Sequence, residues 1–508
     1  MRTPTATTSA FLCSGVALAH RLFLSRTYFG QEEGDYGNLG LILGTVQSGF
    51  SYVETQHMPL YTWLSAALCL VTNDAHTAAL AVSLTMGTIV VFLGTWCTAR
   101  WLSIEAGLVA GALLAFQPDL ALTSATTLRA STYAACAVAT MVAIGKARWL
   151  IAGLLFGAAF LTRFDAMFTL LPVMGLAATI PSLQGIKSSQ TRRAGGLALA
   201  GSFVGLWALL YDRIEGTPRF WEAVVARNTE NYVDLGFLER LAKGGETLNL
   251  VATRVLPDHL GWALLGLFPV GLVLLFRGRA RAPAQGRVLG LLALAASSFF
   301  TLLILLSAYR WDHNLYWSWL SVAMPFVLPV AAHAATEFVR GLSTRRALAA
   351  SIAAGLTLAT ALPMYRQTWQ QVIRSDQWIG TQVRLADWAD SAAPDDAVLL
   401  ADLVPATWLG RRPNARPVLR WSQLPEEPLA GDLDLFAAWV LRERVRVIFW
   451  FEEDWVGAAK RAPFLALPKQ RRARGLTFTP VAHEAGYGVV VYRVDGPGLP
   501  ALEPPTPK

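Results

Sequence analysis

Charge is scarce in this chain. Only 15% of its 508 residues are Asp, Glu, Lys or Arg while 54% are hydrophobic, which excludes an ordinary soluble globular protein. Cysteine is scarcer still. Cys13, Cys69, Cys97 and Cys136 all lie in apolar segments, with no Cys-x-x-Cys pair and no His pair of metal-ligand spacing nearby, so no disulfide framework or thiolate metal site is expected. They read as small packing hydrophobes. There is no Gly-rich phosphate loop of the P-loop or dinucleotide kind, so neither a nucleotide nor a soluble cofactor is implied. The net charge of +8 and pI of 9.4 invite a nucleic-acid reading, but Lys and Arg fall mainly in short loops between apolar runs, where they set membrane topology instead. No internal repeat and no long low-complexity segment is present, and the second absence favours a bacterial source.

What the chain has in abundance is apolar length. Mean hydropathy is +0.40, and runs at 8–24, 77–99, 105–118, 130–145, 149–162, 166–181, 194–211, 260–276, 288–308, 315–335 and 347–363 give eleven candidate spans, the shorter ones borrowing flanking residues. The first is read as an uncleaved span, because His20 and Arg21 interrupt it and no small-x-small cleavage site follows. Residues 58–73 are also apolar, and charge decides their placement. If they do not cross, an inside N-terminus puts Arg100, Lys146, Arg148, Lys187, Arg192, Arg193, Arg277, Arg279, Arg281, Arg287, Arg340, Arg345 and Arg346 all on the cytoplasmic side. Residues 59–72 are therefore expected as an interfacial helix opened by Pro59, with Tyr61 and Trp63 as interfacial aromatics.

This topology makes residues 26–76 one long outer loop, with a short amphipathic helix over 36–47. A second outer loop, 212–259, carries Asn228, Glu230, Asn231 and Tyr232, and reads as a solvated linker. From about residue 364 the charge rises and short β-rich pieces alternate with helical ones. Strands are expected at 398–400, 445–451 and 488–492, and helices at 432–443 and 453–461. The domain organisation that follows is a membrane part over 1–363, an extracytoplasmic α/β domain over 364–495, and a disordered tail over 496–508.

Against so little charge, Glu32, Glu33 and Asp35 stand out as three carboxylates in four positions just after the first span. Acids so near a bilayer are a functional-site hypothesis. Three arginines break the positive-inside pattern: Arg129, Arg163 and Arg310 each lie at an outer end of an apolar run, in the same layer as His57. Ion pairs with Asp165 and Asp312 account for Arg163 and Arg310 without any function, whereas Arg129 has no acid within nine residues on either side. Taken as a set facing three acids, the basic groups favour function. The chemistry that needs both signs is group transfer from a lipid phosphate. A carboxylate takes a proton from an acceptor hydroxyl or amine as it attacks the anomeric carbon, and cations stabilise the departing phosphate.

The acidic pair in the first outer loop, His57-Met58-Pro59-Leu60-Tyr61 opening an interfacial helix, and Leu161-Thr162-Arg163-Phe164-Asp165 closing a Gly-rich span resemble the GT-C class of membrane glycosyltransferases. Within it, the chain is most similar to the protein O-mannosyltransferase and lipid A aminoarabinose transferase branch, over roughly residues 8–335. The resemblance implies an α-helical polytopic GT-C-like fold and inverting transfer of a sugar from a polyprenyl-phosphate donor to a protein, lipid or glycan acceptor at the outer face. It places the family's acidic pair on Glu32 and Glu33, with Asp35 before Tyr36. Glu33 or Glu32 is the expected base and Asp35 the next candidate. His57, Arg129, Arg163 and Arg310 are expected at the donor phosphate, and Tyr36, Tyr61, Asp165 and His313 at substrate. The chain departs from the family in having Glu at position 32 and Met at position 58, and in only echoing a late Arg-Tyr motif at Tyr309-Arg310 and 313–316. Asp119 is the nearest candidate for a second-loop acid. The three acids are chemically able to hold a divalent ion, but no ligand set of recognisable spacing surrounds them.

Two other classes compete. A lipid or polysaccharide flippase would place charges mid-span, whereas here they cluster at outer helix ends. A non-catalytic assembly factor for envelope polysaccharide would use the C-terminal domain as its binding part.

Overall fold

The computed structural model describes residues 5–30, 35–50, 58–180, 189–215, 237–277, 284–307, 315–342, 362, 364–392, 397–412, 415, 417–421, 424, 431–452, 458–484 and 489–497. Two compact units emerge. One comprises Met1–Tyr28, Tyr52–Leu64 and Leu80–Val372; the other comprises Phe29–Ser51, Ser65–Ala79 and Ile373–Lys508.

The described residues of the first half of the chain are almost entirely helical, as the apolar runs require. Helices form at Ala6–Leu24 (α1), Gly37–Gln47 (α2), Leu60–Thr72 (α3), Ala75–Trp101 (α4), Ile104–Phe116 (α5), Pro118–Ser124 (α6), Ala130–Gly145 (α7), Trp149–Phe160 (α8), Ala166–Thr179 (α9) and Gln190–Glu215 (α10). Beyond them lie Phe237–Leu250 (α11), Leu256–Arg277 (α12), Ala284–Ser307 (α13) and Leu315–Leu342 (α14). Among the described residues α1, α4 and Gln190–Ile214 are long and apolar enough to cross a membrane, and α5 with α6 makes a fourth if that bent pair is one span. The run expected at 347–363 lies almost wholly outside the described residues.

The bend between α5 and α6 has a local cause. Pro118 cannot continue a helix with Leu114, so α5 stops, and Gln117 caps the new start by accepting the Leu120 N–H at 2.7 Å. The axis turns by 58°. The carbonyls at the end of α5 are then without helical partners. Arg21 and His20 of α1 supply them: the fully buried Arg21 donates through Nη2 to Leu114 O at 3.3 Å, and His20 Nδ1 lies 3.2 Å from Ala115 O. The charges that interrupt the first apolar run thus serve a break in a neighbouring one.

Small residues let α8 and α10 approach closely. A Cβ at Gly196 would lie 2.4 Å from the Trp149 carbonyl oxygen, and one at Gly153 would lie 2.6 Å from the Gly196 oxygen. Both neighbours are backbone, which cannot swing aside. Gly196→Ala is therefore expected to destabilise by about 1–3 kcal/mol. By contrast Gly201→Ala, on the same helix with nothing within 4 Å, should be neutral or gain up to about 1 kcal/mol in helix propensity. Thermal unfolding in detergent checks this; equal midpoints for the two variants would refute the close-packing argument.

The second unit is built on a six-stranded mixed sheet of Val398–Ala401 (β1), Val418–Arg420 (β2), Val445–Phe451 (β3), Arg471–Ala473 (β4), Leu476–Glu484 (β5) and Val489–Asp495 (β6), in the order β2-β1-β3-β6-β5-β4. β1 runs parallel to β2 and β3, and the remaining pairs are antiparallel. The central β3 is buried along its whole length, as the apolar run Val447–Phe451 demands, and it carries the buried Arg446 near its start. Helices Thr381–Ala392 (α15), Leu403–Leu409 (α16), Leu433–Arg442 (α17) and Ala458–Arg461 (α18) accompany it. Three large buried side chains have their polar tips matched: Trp421 donates to Phe449 O, Trp450 to Ala462 O, and the Tyr492 hydroxyl lies 2.7 Å from both Leu465 O and Leu467 O. Burial pushes the Tyr492 phenol up to about 12, which keeps it a donor.

Three of these strands follow the sequence expectation closely, as do the helices near 432–443 and 453–461, the latter confined to Ala458–Arg461 among the described residues. β2 and β4 are three residues long, and β5 contains Pro480 beside a register shift, so none of them carries a clear alternating signal.

Candidate active site

In the first unit the two described candidate cations, Arg129 and Arg163, sit at helix ends. α8 closes after Phe160, and the Arg163 N–H still reaches Ala159 O at 2.9 Å, so the guanidinium projects from a turn of fixed shape. Its Nε donates to Asp165 Oδ2 at 2.7 Å, with the arginine 11% and the aspartate 1% exposed. The guanidinium carbon lies 6.0 Å from the centroid of the Tyr133 ring. That ring is itself fixed, because its hydroxyl is 2.9 Å from Thr169 Oγ1, which donates to Asp165 O at 3.0 Å. Arg163, Tyr133, Asp165 and Thr169 make one network. Charge, aromatic face and carboxylate are held together before any ligand arrives.

Arg129 is the N-cap residue of α7, one turn ahead of Tyr133, whose N–H it accepts at 3.1 Å. The preceding carbonyl, Leu128 O, takes hydrogen bonds from Ser83 Oγ at 3.2 Å and Ser131 Oγ at 3.4 Å. Ser83 in turn lies 3.1 Å from the Tyr61 hydroxyl, and Tyr61 is buried. Its neighbour Leu60 donates its backbone N–H to Leu161 O at 2.8 Å, two residues before Arg163. The first turn of α3 therefore braces the loops that carry both arginines. Sequence inspection singled out Tyr61 but not Ser83, which has no motif around it. Asp119 is fully buried, with its carboxylate bonded by the Gln117 side-chain amide.

In the second unit the described ends of the acidic loop touch. Gly30 adopts φ +85°, and a Cβ there would lie 2.6 Å from Asp35 Oδ2. Asp35 is 3% exposed, and Tyr36, the N-cap residue of α2, donates its hydroxyl to Phe29 O at 3.2 Å. Glu32, Glu33, His57, Arg310 and His313 lie outside the described residues, as do Asp312 and 228–232. Among the described residues no group of three or more His, Cys, Asp or Glu is arranged to hold a metal ion.

No family model matches the chain, and no curated protein sequence does. Solved structures do. A crystal structure of ArnT from Cupriavidus metallidurans bound to undecaprenyl phosphate aligns over 97% of this chain and 98% of its own, at a TM-score of 0.61 and 15% identity. The fold is that of the GT-C glycosyltransferases. The apo form of the same ArnT, a lipid A aminoarabinose transferase, aligns over 95% and 97% at a TM-score of 0.57 and 14% identity. The apo oligosaccharyltransferase of Archaeoglobus fulgidus aligns over 87% of this chain and 69% of its own, at 0.53 and 13%. The GT-C likeness thus extends to the C-terminal sheet, and with the apolar helices it makes this a membrane protein.

Proposed function

We propose that this chain is an integral membrane glycosyltransferase that moves a sugar from a polyprenyl-phosphate donor to a protein, lipid or glycan acceptor at the outer face of a bacterial plasma membrane, with its C-terminal domain outside the cytoplasm. The observation that carries this reading is the alignment, over nearly the full length of both chains, with a transferase that holds undecaprenyl phosphate. The Arg163 network supports it, because a guanidinium fork matches phosphate oxygens in shape and charge, and here it is held at a helix end by Asp165 and over the Tyr133 ring.

In the proposed reaction an acceptor oxygen or nitrogen attacks the anomeric carbon from the face opposite the phosphate. The new bond to the sugar forms as the carbon–oxygen bond to phosphate breaks, the electron pair leaves with the polyprenyl phosphate, and the configuration inverts. A loop carboxylate takes the acceptor's proton. Glu33 or Glu32 is the base we favour, since Asp35 is packed against Gly30 at the neck of the loop. Arg129, Arg163, Arg310 and His57 stabilise the charge growing on the phosphate, and Tyr36, Asp165 and His313 contact substrate. Tyr61 acts from behind, through Ser83.

The test is transfer of radiolabel from a panel of polyprenyl-phosphate sugars into membrane extracts, comparing wild type with Glu32→Gln, Glu33→Gln and Asp35→Asn. Loss of base catalysis should lower transfer by about 10²–10⁴-fold in one variant that still accumulates normally. A silent wild type, or full activity in all three variants, would remove the acidic loop from the chemistry.

A further inference from the structure

We infer that the C-terminal region is a clamp on the first loop, with Ser375 and Arg411 as positioning residues that hold the acidic neck and the start of α4 in place and thereby set the turnover rate. The inference deepens the transferase reading and rests on it. Phe29–Ser51 and Ser65–Ala79 belong to the same compact unit as Ile373–Lys508, although the long stretch Leu80–Val372 of the other unit lies between them in sequence.

Two contacts make the clamp. At the neck, the buried Ser375 hydroxyl donates to Gly30 O at 2.9 Å. The adjoining Phe29 ring packs on Gly380, and the Arg384 guanidinium sits 5.8 Å over that ring while bonding Asp376 at 2.6 Å. Gly30 is the residue with the left-handed backbone beside Asp35, so the serine holds the acidic loop at its described N-terminal end. At the far end, Arg411 follows α16. Its carbonyl accepts the Ala75 N–H at 2.9 Å, and its Nε lies 3.4 Å from Asp74 Oδ2. The Arg411 side chain is only 12% exposed and is itself braced. It stacks 4.2 Å over Trp408, whose Nε1 donates to Asp387 at 2.7 Å, and its Nη2 is 3.7 Å from the same carboxylate. The His76 ring meets Trp408 edge-on at 5.0 Å.

The contacts fall at Gly30, whose left-handed backbone only glycine adopts without cost, and at Asp74–Ala75, so they hold the two described ends of the region from the C-terminal side. A clamp of this kind leaves donor affinity alone and governs how well the base is aimed, because misplacement by about 1 Å costs about 10²-fold in rate.

The experiment uses the full chain in lipid nanodiscs. Amide hydrogen exchange over 28–50 and 60–78 is read alongside kcat and donor KM for wild type, Ser375→Ala, Ser375→Thr and Arg411→Met. In the alanine and methionine variants, exchange near Gly30 and near Asp74 respectively should rise about tenfold. Turnover should fall about 10–100-fold with donor KM within about threefold of wild type, and Ser375→Thr should restore both readouts. Unchanged exchange would overturn the clamp, and so would raised exchange with unchanged kcat or a loss confined to KM. A wild type that transfers nothing would sink the transferase reading, while exchange would still decide whether the clamp holds the loop.

Discussion

Alanine at position 30 is expected to lower transfer at least about a hundredfold while the protein continues to accumulate in membranes. Two independent costs fall on the same atom. The backbone φ of +85° is one that a side chain tolerates poorly, at about 1–2 kcal/mol. The added Cβ would also sit 2.6 Å from Asp35 Oδ2 and 2.7 Å from its Cγ. Turning the carboxyl about χ1 relieves only the outer contacts, because the Asp35 Cβ would itself lie 3.1 Å from the added atom, so the neck must shift. Gly37→Ala is the control. It lies seven residues on, at the start of α2, and a Cβ there meets nothing within 4 Å. Normal transfer by Gly30→Ala, or an equal loss in both variants, would show that the neck does not set the geometry of the acids.

The second large effect is expected at Arg163. Removing its charge by Arg163→Met should raise the donor KM by about 10–100-fold, the value of a charge-assisted bond to phosphate at about 1.5–3 kcal/mol. The same change also leaves Asp165, 1% exposed, as a buried carboxylate without its cation. Breaking a buried pair from one side costs about 3–5 kcal/mol, so this variant alone confounds binding with folding. Arg163→Lys separates the two, because a point charge still balances Asp165 but cannot present a planar fork. We expect it to accumulate like wild type and to bind donor about tenfold more weakly, measured by competition with undecaprenyl phosphate. Wild-type affinity in Arg163→Lys would mean that the fork is not used on phosphate.

Part of this site is visible in the sequence. Arg163 and Asp165 stand two apart at the end of an apolar run, and the ion pair expected from that spacing is present. Arg129 is conspicuous for the opposite reason, lacking an acid nearby in sequence, and it is found capping α7 beside the Arg163 network. The α3 helix was legible from Pro59 and from its length. At 13 residues it covers about 20 Å, short of a bilayer core. The residues that brace these groups were not legible. Ser83 lies within a long apolar helix, and Ser375 ends a helix of mixed composition; neither has neighbours that mark it.

The sequence by itself determined where the apolar helices and three of the strands lie, and that the chain belongs in a membrane; it missed the polar helix α11, which falls in the stretch 212–259 read as a solvated linker. Those properties depend on the local run of side chains: an apolar stretch must bury its length, and the boundary at Ala130–Gly145 coincides with the uncharged run that predicts it. Only the tertiary structure decided what the interrupting polar groups are for. Arg21 serves carbonyls ninety-three residues away at a bend made by Pro118, and Ser375 serves Gly30 from 345 residues away. A hydrogen bond formed across such distances is satisfied by geometry that the whole fold creates. Burial leaves its trace in composition, whereas the identity of a distant partner leaves none in either local segment.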